Sequence, residues 1–217
     1  TFLTTAFQYA WNETAYLLAK DGDRFEKYRI SVTAVFRLVM SGCAAFILLS
    51  KLAFPYLVGK AYGEAILIIP LALAGVAVNS FSAFVDTIFM AEKKTRKLLT
   101  ATAAGAFVNL ISTPFFTSFW KLPGAVGALA LAYAALAVFR VCSLRRLFSF
   151  RLKAADTLYL LLPAAAFFIY FDCGTTVTVL SIVSLVFASL WGLREFLIPL
   201  FRRAAKATGR KIKYETE

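Results

Sequence analysis

The side chains able to do chemistry here are few, and they sit at helical spacing inside apolar stretches. Thr33, Arg37 and Ser41 recur at i, i+4 and i+8, while Gly75, Asn79, Ser82 and Asp86 recur at i, i+4, i+7 and i+11. A helix brings each set onto one face as a polar stripe. Gln8 and Asn12 share a stripe beside Tyr9, Glu13 and Tyr16, and Gly105, Asn109 and Ser112 form another. Polar groups in apolar helices are costly unless they face a bundle interior or a wet cavity, so the stripes imply a shared lumen. The chemistry on offer is ion pairing, amide recognition of hydroxyls and guanidinium recognition of phosphate. Metal and acid–base chemistry have little support. The chain has no His, and Cys43, Cys142 and Cys173 are scattered, odd in number and without ligand spacing. No metal site, cofactor, disulfide framework or enzymatic activity is expected.

The elements that carry these residues follow from composition. Sixty per cent of the 217 residues are hydrophobic, 17% are charged, and the mean hydropathy is +0.74. Such values indicate an integral membrane protein. A hydrocarbon core of about 30 Å takes about 20 apolar residues as helix, and backbone groups there must be satisfied within the segment. The expected class is therefore all-α and polytopic, with about seven transmembrane helices. The spans run from Phe2 to Ala19, Ile30 to Leu52, Ala61 to Ala91, Leu98 to Phe119, Gly124 to Val141, Ala155 to Phe171 and Thr175 to Leu200. The first span is short and opens on Thr1, with no initiator Met and no signal-peptide layout, so a piece of something longer is expected.

Basic residues fall in alternate gaps. Lys20, Arg24, Lys27 and Arg29 lie in one, and Lys93, Lys94, Arg96 and Lys97 in another. A third holds Arg140, Arg145, Arg146, Arg151 and Lys153, and the tail from Arg202 adds six more up to Lys213. Intervening gaps hold little beyond Lys60 and Lys121. The positive-inside rule makes the basic gaps cytoplasmic, with Thr1 outside and Glu217 inside. The net charge of +12 is thus read as topology signal and attraction to anionic membrane lipids, not as a nucleic-acid surface.

Counting along helices at about 1.5 Å per residue puts Glu13, Arg37 and Asp86 at one level, roughly 10 Å from the cytoplasmic boundary. An ionic layer is expected there, with Arg37 between the carboxylates or paired to one. Asn79 and Asn109 fall nearer the midplane. The same groups would also serve to glue helices together. Pro70, Pro114 and Pro163 lie within spans and are expected to kink them. Trp11, Trp120 and Trp191, with Tyr56 and Tyr62, are assigned to membrane interfaces.

The order of features resembles a known family. Phe7-Gln8-Tyr9-Ala10-Trp11, a charged loop, and Tyr62-Gly63-Glu64-Ala65 leading into Ile69-Pro70 resemble the second half of bacterial polysaccharide flippases. So do Glu92-Lys93-Lys94-Thr95, Asn109 and Pro123-Gly124-Ala125-Val126-Gly127-Ala128. These flippases belong to the multidrug, oligosaccharidyl-lipid and polysaccharide exporter superfamily. The resemblance covers roughly Phe7 to Phe150, and its weight lies in order and spacing. Where the family typically carries a Pro shortly after the Trp, this chain has Asn12 and Glu13.

The resemblance implies a helical lobe around a polar cavity, working by alternating access and completed by an N-terminal lobe in cis or in trans. Residues 1–150 would form the second transport lobe, 151–201 two further transmembrane helices and 202–217 a basic cytoplasmic tail. The implied cargo is a polyprenyl-pyrophosphate oligosaccharide crossing the bacterial inner membrane for surface polysaccharide assembly. Arg37 is the candidate for the phosphates, and Gln8, Asn12, Asn79 and Asn109 for sugar hydroxyls. Asp86 and Glu13 are candidates for ion pairing or H⁺ or Na⁺ coupling. A cation-coupled drug exporter lobe, a membrane glycosyltransferase or polymerase segment, and an inactive fragment are the alternatives.

Overall fold

The computed structural model describes residues 11, 15–16, 19, 22–57, 65–66, 68–148, 154–172 and 174–187. These are helical with short turns, and no strand occurs among the described residues. Helix α1 spans Arg24–Leu57 and α2 spans Ile69–Ala91. The helical stretch Thr95–Phe148 breaks at Lys121, where φ is 50° and ψ is −125°. Its arms are α3, residues 95–120, and α4, residues 122–148. Helix α5 spans Ala154–Asp172 and α6 spans Thr175–Phe187.

The break at Lys121 is what lets this stretch fit a membrane. Unbroken, its 54 residues would extend about 80 Å, far more than a hydrocarbon core of about 30 Å. Reversal gives two arms of about 40 Å each. The backbone angles at Lys121 are those of the first corner of a type II′ turn, and Pro123 then falls in the first turn of α4, where a missing N–H costs nothing. A Cβ on Gly124 would drive into the carbonyl of Phe116, so the close return needs glycine there.

The α2–α3 turn closes differently. Lys94 N–H donates to the carbonyl of Phe89 and Lys93 N–H to that of Met90, with Lys93 at φ 56°. This is a Schellman ending with lysine at the left-handed position that glycine usually fills. At the other end of α2, Pro70 occupies the first turn. The expected kink at Pro70 is therefore replaced by a helix start at Ile69, and residues 61–64 and 67 of that expected span lie outside the described residues. Pro114 and Pro163 do lie inside helices.

Named contacts fix the directions. Arg24 meets Glu92 and Phe36 packs edge-on against Phe81 at 5.2 Å, so α1 and α2 are antiparallel. Gly75 abuts Ala130, and Asp86 meets Arg140, so α2 and α4 are parallel. Gly105 abuts Ala132 and Leu136, which sets α3 antiparallel to α4. Arg37 meets Asp156 and Lys51 reaches Ile169, so α1 and α5 are parallel. The directions gather Arg24, Lys27, Arg29, Lys93, Lys94, Arg96, Arg145 and Arg146 at one end, with Lys51 and Lys121 toward the other.

Among the described residues, three helical stretches are long and apolar enough to cross a membrane, namely Arg24–Phe54, Ile69–Ala91 and Thr95–Leu147, the last folded on itself. Leu158–Asp172 and Thr175–Phe187 are shorter apolar helices. Large apolar side chains also face outward, among them Leu99, Phe107, Leu110, Phe115 and Phe119 on α3. This architecture is compatible with a multi-pass membrane protein. Most of the first expected span, the end of the seventh and the 202–217 tail lie outside the described residues.

Among the described residues, two apolar clusters form the interior. One joins Trp11, Ala15, Tyr28, Val32 and Phe36 to Phe81, Phe84, Ile88 and Leu144. The other joins Cys43, Ala44, Ile47 and Leu48 to Ala77, Ala166, Tyr170 and Leu185. Trp11 is thus a core residue, buried and stacked on Phe84 at 4.3 Å, which corrects its expected place at a membrane interface. Exposed Trp120 at the far end of α3 does suit an interface.

Small-residue contacts are the most sensitive part of this packing. A Cβ at Gly105 would lie 3.0 Å from Leu136 Cβ and 3.4 Å from the Ala132 carbonyl oxygen, while one at Gly42 meets nothing within 4 Å. Gly105→Ala is expected to destabilise the hairpin by about 1–3 kcal/mol. Gly42→Ala should be neutral or stabilising by about 0.5–1 kcal/mol. Denaturant unfolding in detergent, run on both variants, checks the contrast.

Candidate functional site

Ion pairs lie inside the helix packing among the described residues. Asp156 sits in the first turn of α5, where the helix N-terminus favours a carboxylate. Its Oδ1 accepts from Arg37 Nε at 2.9 Å and lies 2.8 Å from Arg37 Nη2. The Asp156 side chain is 1% exposed and that of Arg37 13%. The guanidinium also lies 5.6 Å from the centre of the Tyr159 ring, one turn further along α5. Ser41, next on the Arg37 stripe, donates its hydroxyl back to the Arg37 carbonyl at 2.7 Å. It is satisfied within α1.

The second pair joins α2 to α4. Arg140 Nε lies 2.6 Å from Asp86 Oδ1, although its N–H is not aligned on that oxygen as a hydrogen bond. Arg140 Nη2 donates to Thr102 Oγ1 at 3.5 Å. One arginine thereby touches α2 and α3 from α4. Ser82, a turn before Asp86, is buried with its hydroxyl unpaired among the described residues.

The expected single ionic layer is corrected by this arrangement for Arg37 and Asp86, its third member Glu13 lying outside the described residues. Arg24 and Glu92 are in contact and so mark one level. Arg37 lies thirteen residues along α1 from Arg24, about 20 Å, and Asp86 six residues before Glu92, about 9 Å. The two charges are about 10 Å apart in height, and each meets a different counter-charge. A count that starts the helix at Ile30 begins one and a half turns late, which is why it puts the two at one level. The stripe of α2 turns toward α4, where Gly75 and Ala130 pack closely, and that of α1 turns Arg37 toward α5.

The remaining candidates are spread out. Asn109 accepts a hydrogen bond from Thr113 at 3.0 Å on its own helix. Asn79 is partly buried on α2. Gln8, Asn12 and Glu13 lie outside the described residues. Asp156 and Arg140 are site residues that the sequence stripes do not single out, although both leave a signal. Asp156 is the lone charge in the apolar run from Ala155 to Phe171, and Arg140 continues the i, i+4 line of Ala132 and Leu136 that faces Gly105.

No cluster of His, Cys, Asp or Glu side chains able to hold a metal ion occurs among the described residues. The arrangement instead holds guanidinium cations against carboxylates in an apolar bundle. Comparison with protein-family models, curated proteins and solved structures finds no match.

Breaking a buried pair from one side strands a charge, at about 3–5 kcal/mol. Asp86→Ala is expected to lower the folded yield in membranes sharply, and the exchange Asp86→Arg with Arg140→Asp to recover part of it. Yield and melting temperature after detergent extraction measure this. Equal yields for Asp86→Ala, Arg140→Ala and the unaltered chain would remove the pair from the energetics.

Proposed function

We propose that this chain is one lobe of a membrane transporter that flips lipid-linked oligosaccharide across the bacterial inner membrane for surface polysaccharide assembly. Two lines support the reading: the order of sequence features shared with polysaccharide flippases, and an apolar helical bundle that buries guanidinium groups. The observation that carries it is the Arg37–Asp156 pair. A guanidinium held in low dielectric against a carboxylate is poised to take a pyrophosphate in its place, because both anions accept the same forked N–H pattern. Asp156 holds Arg37 between cargo visits.

The other groups divide the remaining work. Asn79 and Asn109, with Gln8 and Asn12, offer amides to sugar hydroxyls. Asp86, held by Arg140, and Glu13 are the carboxylates available for coupling to H⁺ or Na⁺. The end rich in Lys and Arg faces the cytoplasm, with Thr1 outside and Glu217 inside. A complementary lobe, in cis or in trans, closes the cavity, and alternating access moves the head group while the polyprenyl tail stays in lipid. The chain performs no covalent chemistry.

Replacing Arg37 in the chain's own host is the test. Arg37→Ala is expected to reduce surface polysaccharide by about tenfold or more, the scale of losing one charge-assisted contact, while lipid-linked sugar accumulates on the inner leaflet. Arg37→Lys should retain part of the export. Unchanged surface polysaccharide for Arg37→Ala at equal membrane abundance contradicts the proposal.

A further inference from the structure

Charged and close-packed contacts tie the helices into two groups. Within the first, Arg37 pairs with Asp156, and Lys51 Nζ donates to the Ile169 carbonyl at 3.1 Å, so α1 and α5 are fastened along much of their length. Within the second, Asp86 meets Arg140, Gly75 abuts Ala130 and Gly105 abuts Leu136, so α2 is fastened to the α3–α4 hairpin. Parting either group would strand a buried charge in hydrocarbon.

The surface between the groups is of another kind. Its middle is built from Phe36 against Phe81 and from Cys43, Ala44, Ile47 and Leu48 near Ala77. Such contacts are non-directional, and sliding or tilting them leaves no donor unpaired. Polar ties across this surface occur at its ends. At the basic end, Arg24 Nε lies 3.3 Å from Glu92 Oε1, with the Arg24 side chain 36% and the Glu92 side chain 12% exposed. At the other end, the Tyr170 hydroxyl of α5 donates to the carbonyl of Ile66, just before α2, at 3.0 Å. Lys51, whose ammonium lies 5.9 Å from the Tyr170 ring, marks that level on α1. Residues 24 and 51 are about 40 Å apart along the helix.

We propose that the α1–α5 pair and the α2–α3–α4 unit rock against each other as two bodies, with Arg24–Glu92 and Tyr170–Ile66 as latches at opposite ends. Arg24 is the more exposed member of its pair, and water takes up its guanidinium when the pair opens. The basic-end latch thereby opens to water, whereas the buried Arg37–Asp156 pair parts only in exchange for another anion. With one latch released and the other closed, the apolar middle opens toward one face only. Cys43 is buried in that middle and reports the opening. The inference concerns the motion of the bundle and holds for any cargo.

Labelling of Cys43 by a membrane-impermeant maleimide tests it, in chains where Cys142 and Cys173 are Ala, using membrane vesicles of both orientations. Glu92→Gln is expected to raise the labelling rate about fivefold from the basic-end face, the shift that losing one weak tie gives. Tyr170→Phe should do the same from the opposite face. Arg24→Lys, which keeps the charge, should label like the unaltered chain and guards against misfolding. Rates unchanged in both latch variants, or raised equally from both faces, overturn the two-body motion.

Discussion

A charge carried into an apolar helix bundle must meet its opposite there, and this requirement organises the whole arrangement. Arg37 finds Asp156 and Asp86 finds Arg140, each pair joining helices far apart in sequence. Neither pair is a strong source of stability, since desolvation offsets most of the attraction. Their effect is to choose partners: α1 takes α5, and α2 takes α4. Apolar packing alone would leave that choice open, because one leucine-rich face fits lipid or another helix equally well.

Turn chemistry supplies the second constraint. A long apolar stretch can only remain within a bilayer if it folds back, and Lys121 with Pro123 and Gly124 accomplishes this in very few residues. At the α2–α3 turn, Lys93 takes a left-handed conformation that glycine would adopt more easily. Both lysines sit at helix ends, where the strain comes with a solvated side chain.

Much of the architecture was legible in the sequence. Apolar length located α3 and α5 to within about three residues and α1 and α4 to within about seven, because hydropathy reports directly on the need to satisfy backbone groups within each span. The gathering of basic residues at one end followed from alternate gaps. The start of α2 at Ile69 was hidden because Pro70 looks like an interruption of an apolar run when it is an N-terminal residue. Charge pairing was the least legible part. Periodicity shows that Arg37 and Asp86 face inward, but the partner depends on helix order and rotation, which hydropathy does not encode. Asp156 and Arg140 also lie near span ends, where a charge reads as loop.

The arrangement stands on the helices traversing a membrane with their basic turns on one side. Side-specific labelling of single cysteines placed at exposed Arg96 and exposed Lys121, in an otherwise cysteine-free chain, measures this directly. Opposite-side labelling of the two positions, with Arg96→Cys on the cytoplasmic face, is the predicted result. Labelling of both from the same face would contradict it.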